Sequence, residues 1–213
     1  PRQITSSEDG FKGAAEWLHR MRANQITGKI DPKDVLNARS QAQQFASRKN
    51  SSTLGLTWEN MGPNDLGGRT RSLLIDKDNP DVMYTGSVSG GLFKTTNAGA
   101  SWAVVNDMQD NLAVICIAQA SNGHIYYGTG EDMYYSAVGT GSQGIIGGGM
   151  FRSTDGGVTF SVIPSTKPQG NGSGAEWSAI GKIACDPVDA NRIYAATSRG
   201  VRVSEDAGAT WVN

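Results

Sequence analysis

Ser153–Phe160 reads STDGGVTF, and the same pattern occurs twice more, as TTNAGASW over Thr95–Trp102 and as SEDAGATW over Ser204–Trp211. The shared pattern is Ser/Thr-x-Asp/Asn-x-Gly-x-Ser/Thr-aromatic. A short carboxylate or amide at its third position accepts hydrogen bonds from nearby backbone N–H groups, and the glycine adopts a positive φ without steric cost. The aromatic residue then begins the next strand as a large apolar anchor. The pattern therefore predicts three tight turns, each joining two β-strands.

We assign structural roles in these turns to the Asp or Asn, the Gly and the aromatic residue of each copy. These residues are Asn97, Gly99, Trp102, Asp155, Gly157, Phe160, Asp206, Gly208 and Trp211.

The unit that repeats is longer than the turn. The copies begin 58 residues apart (153 − 95) and 51 residues apart (204 − 153). Two apolar runs joined by a turn precede each copy, as in Arg71–Asp76 and Val82–Gly86, and a third run such as Gly91–Lys94 leads directly into it. Four short strands at this period are typical of the blades of a β-propeller, whereas a single β-sandwich predicts no internal repetition. We therefore predict an all-β propeller with three four-stranded blades of an incomplete ring, preceded by an α-helical hairpin.

The repeated turn resembles the Asp-box, or BNR, repeat of sialidases, sortilin-type receptors and xyloglucanase-like proteins. The segment from Gly62–Arg69 through Gly90–Asn97 looks most like the sortilin/VPS10-like propellers of secreted bacterial proteins. The resemblance covers roughly residues 57–213, and it implies an extracellular or outer cell-surface location and a role as cargo or component of a bacterial secretion or cell-envelope system. Because these families include hydrolases, receptors and assembly factors, the resemblance indicates the fold and leaves the function open.

The segment before the repeats predicts a different structure. We expect residues 1–53 to form a helical hairpin and linker, and residues 54–213 to form the blades. The first helix runs from about residue 11 to residue 23, and Asp31-Pro32 begins a second helix that ends near residue 48. The hairpin packs either on its own propeller or on another chain.

Three blades do not close a ring, since propellers have roughly four to eight blades. We therefore expect the chain to be the N-terminal part of a larger protein. The remainder of its own chain or a partner then covers the open propeller edge.

The charge balance and the residue spacing of the chain argue against several classes of function. The chain has 19 Lys and Arg against 20 Asp and Glu, so a nucleic-acid partner is not expected. No apolar run has the length of a membrane span, and no residues have metal-ligand spacing, so we expect no membrane span, metal or cofactor. Cys116 and Cys185 are expected to be two buried thiols, with a disulfide as the alternative.

The meander of each blade places the three motif turns on one face of the propeller. The loops between second and third strands, and the links between blades, lie on the other face, where two long insertions, Gly130–Gly148 and Pro164–Ser178, fall. Binding residues concentrate on long loops. The ligand-binding candidates on this face are Arg69, Arg71, Glu131, Asp132, Tyr134, Tyr135, Glu176 and Trp177.

For each candidate a structural role is the alternative. Arg69, for example, could pair with a carboxylate near the central channel, and Tyr134 and Tyr135 could pack the loop. Glu131, Asp132 and Glu176 are candidate acids or bases of a glycosidase by loop placement alone, so the catalytic residues stay unknown. We predict a binding module for protein or glycan, not an enzyme; the alternatives are a glycoside hydrolase of sialidase or xyloglucanase type and an assembly factor.

Overall fold

A computed structural model describes residues 68–105, 111–131, 145–169 and 175–213, together with residues 23–28 and scattered positions between residues 17 and 44. The chain divides into two compact units, Pro1–Met61 and Gly62–Asn213. The predicted domain boundary between residues 53 and 54 remains a prediction.

The described part of the second unit forms three antiparallel sheets, here called blades one, two and three. The strands of blade one are Thr70–Ile75 (β1), Met83–Ser87 (β2), Gly91–Thr95 (β3) and Ala103–Val104 (β4). Those of blade two are Val114–Gln119 (β5), Ile125–Thr129 (β6), Met150–Ser153 (β7) and Ser161–Val162 (β8). Those of blade three are Ile180–Cys185 (β9), Ile193–Thr197 (β10) and Gly200–Ser204 (β11).

Within each blade, every strand pairs with the next one along the chain, as the repeat predicts. Blades one and two have four strands in the order of the sequence. Blade three has three strands, and an antiparallel bridge between Val203 and Val212 marks the position of a fourth. The mostly β architecture with repeated sheets is therefore confirmed, while the number of blades in the ring stays a prediction.

Two apolar cores lie between neighbouring blades. The first strands pack side by side, β1 against β5 and β5 against β9. Tyr84 and Leu92 of blade one pack with Tyr127 and Phe151 of blade two, and the two aromatic rings of blade two are stacked 4.8 Å apart. A second core, between blades two and three, contains buried Tyr126, Met150, Ile180 and Ile193. Burial of these faces on both sides of blade two explains why its strands read as continuous apolar runs.

Glycines allow the blades to approach each other closely. A Cβ atom on Gly86 in β2 would lie 2.6 Å from the Val114 side chain of blade two. One on Gly128 in β6 would lie 2.7 Å from the Ile180 side chain of blade three. Both glycines occupy the same place in their blades, because Gly86 pairs with Ser72 as Gly128 pairs with Cys116.

Both predicted helices include residues with helical backbone, among them Trp17 and Met21 in the first and Asp34 and Gln44 in the second. The packing of the two segments as a hairpin lies outside the described residues, as does the linker before residue 54. In the part of the chain that the structure describes, no helix is long and apolar enough to cross a bilayer.

Candidate functional site

The motif turns have the predicted hydrogen bonding. In blade two the Ser153 hydroxyl donates to Asp155 (2.7 Å) and accepts from the Gly157 N–H (2.8 Å). The Thr159 N–H and hydroxyl both donate to the Asp155 carboxylate (2.9 and 2.5 Å). Equivalent bonds close the other two turns, with Asn97 in the place of the carboxylate in blade one.

At one position, the backbone of the motif turns has a conformation that the sequence pattern did not predict. Gly99, Gly157 and Gly208 have the expected positive φ, at +88°, +75° and +94°. The residue before each glycine is also left-handed, although it is alanine at Ala98 and Ala207. Local hydrogen bonds thus hold a conformation that L-residues seldom adopt.

These bonds also fix the charge state of the motif carboxylates. Hydrogen bonds from the Thr210 side chain and backbone lower the pKa of Asp206 to about 2. Bonds from Thr159 lower the pKa of Asp155 well below its usual value. Both carboxylates are engaged with their own turns, which agrees with a structural role.

The motif aromatics differ in burial according to their neighbours. Phe160 is buried against Tyr127, and Trp211 packs against Trp177, their ring centroids 4.9 Å apart. Trp102 of blade one is 40% exposed, because no blade precedes blade one among the described residues.

The bases of the two long loops meet on the opposite side from the motif turns. The Gly147 N–H donates to the Ser178 carbonyl (2.6 Å), and the Glu131 N–H donates to the Ile145 carbonyl (2.8 Å). A Cβ atom on Gly130, whose φ is +86°, would lie 2.0 Å from the Ser178 carbonyl oxygen. The junction therefore requires glycine, and it fixes the position of the Glu131 backbone beside blade three.

Glu131 links blades one and two through two arginines. Its Oε2 accepts from Nη2 of Arg69 and its Oε1 accepts from Nη1 of Arg71 (2.8 Å). The Glu131 side chain is 6% exposed, whereas the arginines are 50% and 44% exposed. Among the described residues, the cluster has one carboxylate for two guanidinium groups, which gives these three side chains a net positive charge.

A second ion pair lies in blade three. Glu176 accepts from Nε of Arg202, which lies in β11. Arg202 was not among the candidates from the sequence; its place in β11, close to the turn after β10 on the face of the long loops, was the available signal. Trp177, one of the ligand-binding candidates, is 6% exposed and has a φ of +69°. In this conformation its ring packs the core against Trp211 and offers no ring face to solvent.

The remaining candidates, Asp132, Tyr134 and Tyr135, lie outside the described residues. Within the described ranges, no group of three or more His, Cys, Asp or Glu side chains is placed to hold a metal ion. Cys116 and Cys185 are both free thiols; Cys116 is buried, as expected, whereas Cys185 is only partly buried.

Comparisons with known proteins were made by sequence and by structure. No family model matches the chain. A xyloglucanase from a Paenibacillus species is 29% identical over 163 residues, which are 73% of this chain and 15% of that protein. An ancestral GH74 enzyme superposes with a TM-score of 0.53 at 23% identity, over 67% of this chain and 18% of its own. The GH74 xyloglucanase from Xanthomonas campestris superposes with the same TM-score at 21% identity, over 68% and 21%.

Both solved structures are β-propellers. The described blades have a β-propeller fold. The chain spans about 15% of the length of the curated relative that it matches. The similarity favours the alternative, a glycoside hydrolase-like propeller, over the main prediction of a protein- or glycan-binding module, and the order of these two predictions is corrected accordingly.

Proposed function

We propose that this chain is part of a carbohydrate-active β-propeller of the glycoside hydrolase type, and that it acts on a polysaccharide of the xyloglucan class. The observation that carries the proposal is the 29% identity to a xyloglucanase over 163 residues, because that match covers most of the chain. The propeller fold supports the proposal, although fold alone does not fix a function.

In this proposal, the candidate site supplies the groups that bind the sugar chain. The exposed guanidinium groups of Arg69 and Arg71 lie at the start of an innermost strand, on the face where the long loops meet. Arginine presents several N–H donors in a fixed plane, which suits the hydroxyl and ring oxygens of a sugar chain. Glu131 holds both guanidinium groups in place.

The two described carboxylates on this face are poor candidates for the acid–base pair of a glycosidase. Such chemistry needs one carboxyl group that carries a proton and one that is a free base or nucleophile. Glu131 accepts from two arginines and Glu176 accepts from one, so both carboxylates are already engaged in ion pairs within the protein. We assign hydrolysis to other carboxylates of the whole protein.

The same ion pairs favour a second candidate, a glycan-binding module without hydrolysis. Either candidate is compatible with an Asp-box relation of the motif turns and with the likeness to sortilin-type propellers. Either is also compatible with a protein partner and with an extracellular or outer cell-surface location. These four points form part of the proposal.

Incubation of the intact protein with xyloglucan separates the candidates. Release of reducing ends supports the hydrolase. Binding without release supports the module, and absence of both rejects the proposal.

A paired substitution tests the binding face. We expect Arg71→Gln to weaken xyloglucan binding about tenfold, the equivalent of one lost charged hydrogen bond. Arg192→Gln is the matched control, since Arg192 is similarly exposed and pairs with Glu205 of a motif turn on the other face. Equal affinities of the two variants would argue against the assigned face.

A further inference from the structure

The ion cluster of Arg69, Arg71 and Glu131 has more positive charge than an internal ion pair requires. One guanidinium group would neutralise the Glu131 carboxylate, yet both arginines bind it, each at a different oxygen atom. Two cations held on one carboxylate repel each other, and its single negative charge offsets only part of this repulsion. Among the described side chains the cluster therefore keeps one uncompensated positive charge, which a further anion at the same place would neutralise.

Both guanidinium groups keep hydrogen-bond donors for such an anion. A guanidinium group has several N–H donors in one plane and no acceptor. In the described part of the chain, Arg69 donates from Nη2 and Arg71 donates from Nη1, each to Glu131. About half of each arginine side chain is exposed, at 50% and 44%, so a ligand can reach the other donors from solvent.

The carboxylate that orients the arginines is itself fixed by the fold. Glu131 is buried, and its backbone N–H donates to the Ile145 carbonyl (2.8 Å). Gly130, directly before it, is packed against the Ser178 carbonyl oxygen with no room for a side chain. Side chains that are positioned before a ligand arrives lose less freedom on binding, so the ligand gains more affinity from each contact. The two arginines thus form a preorganised anion site.

An exposed apolar surface lies next to the ion cluster. Ile145, whose carbonyl accepts the hydrogen bond from Glu131, is 41% exposed, and Ile146 is 45% exposed. The Asn111 side chain donates to the Ile146 carbonyl (2.5 Å), which holds this segment in place. Ligand sites commonly combine an apolar surface with a few polar groups that fix the orientation of the ligand. A sugar ring that bears a carboxylate matches this arrangement, because it has C–H groups on its face and the charge at its edge.

We propose that Arg69 and Arg71 bind the carboxylate of an acidic sugar, so that the polysaccharide recognised at this face carries uronic acid units among its neutral sugars. The inference rests on the proposed carbohydrate function and narrows its ligand class. A carboxylate accepts paired N–H donors from guanidinium groups and neutralises the remaining charge, whereas a neutral sugar accepts the hydrogen bonds alone. Ile145 and Ile146 contact the ring that bears the carboxylate.

The test measures equilibrium binding of the intact protein to xyloglucan and to the same xyloglucan with its primary hydroxyl groups oxidised to carboxylates. We expect the oxidised polymer to bind about tenfold more tightly at low salt, as for one added charged hydrogen-bond pair. This difference should shrink at high salt. Arg71→Gln should reduce the difference to about twofold, since the paired donors are lost. Arg192→Gln, on the other face, should keep the tenfold difference.

The outcomes separate this inference from the proposed function. Equal affinities of the wild type for the two polymers would overturn the inference and leave the proposed function standing. Poly-L-glutamate that binds as tightly as the oxidised polymer would also overturn it, because the site would then recognise charge without a sugar. Binding of the oxidised polymer alone would support the inference and reject neutral xyloglucan as the ligand. Absence of binding to both polymers would overturn the inference and the proposed function together.

Discussion

At the residue scale, the motif glycine has both a conformational and a contact role. Gly157 has a φ of +75°, and a Cβ atom there would lie 2.6 Å from the Tyr84 ring. Gly99 has a φ of +88°, but its nearest neighbour, in Trp102, is 3.8 Å away. We expect Gly99→Ala to cost about 1 kcal/mol of unfolding free energy for the backbone conformation. Gly157→Ala should cost about 1–3 kcal/mol more, because the buried ring must move. Urea unfolding measures both, and equal losses would show that the ring contact is unimportant.

The lowered pKa values of the motif carboxylates predict that the stability of the protein depends on pH. The pKa of Asp206 is about 2 in the folded protein, and that of Asp155 is lower than usual. The unfolded value is about 4. A lowered folded-state pKa contributes stability above pH 4, and this contribution is lost as the pH falls toward 2. We expect the Tm of Asp155→Asn/Asp206→Asn to fall less over this range than that of the wild type.

Blade one supplies the control for the pH experiment. Asn97 stands at the motif position without a charge. Asn97→Asp should make the Tm fall more steeply between pH 4 and pH 2 than it does in the wild type. This is the range set by the lowered pKa of the aspartates in the other two turns. An unchanged profile for this variant would mean that the turn does not bind the ionised form preferentially.

At the scale of elements, Glu131 connects the end of β6 to the start of β1. We expect Glu131→Gln to lower the unfolding free energy by about 2 kcal/mol, as for a lost set of charged hydrogen bonds. The arginines regain water because they are half exposed, so the loss stays below that of a fully buried pair. Glu205→Gln, which breaks an exposed pair with Arg192, should change stability by no more than about 0.5 kcal/mol. Similar losses in both variants would contradict a stabilising role for the contacts of Glu131 with Arg69 and Arg71.

The candidate site shows what sequence can predict about elements. The alternation of strands and loops placed Arg69 and Glu131 on one face, and the pairing of Arg69 with a carboxylate was among the alternatives. The burial of Trp177 was not predictable, because its ring contacts Trp211 and its positive φ depends on the path of the whole loop. Local patterns therefore locate a face, whereas contacts distant in sequence decide which side chains are free on it.

At the scale of the whole molecule, the close contacts between blades predict cooperative unfolding. Gly86→Ala and Gly128→Ala should each destabilise by several kcal/mol, since the new Cβ meets packed atoms of the next blade. Gly181→Ala is the control, because its Cβ would have no neighbour closer than 4.0 Å. Chemical unfolding followed by both circular dichroism and tryptophan fluorescence should show one coincident transition. Separate transitions would indicate blades that unfold independently.

The fold was more predictable from the sequence than the function was, because the turn motif that indicates the fold occurs three times in the chain. The turns over Thr95–Trp102, Ser153–Phe160 and Ser204–Trp211 depend on bonds within five residues, which a sequence displays directly. The inter-blade acceptor at Gly156 leaves no such local signal, since its donor is Tyr84 of the preceding blade.

The contact between Tyr84 and Gly156 can form only after both residues have been synthesised on the ribosome. The two residues are 72 positions apart, so the acceptor leaves the ribosome about 4–14 s after the donor. During that interval the apolar side of the first sheet has no native cover and is open to chaperones. We expect blade two to cover this side of blade one only after blade two has been translated.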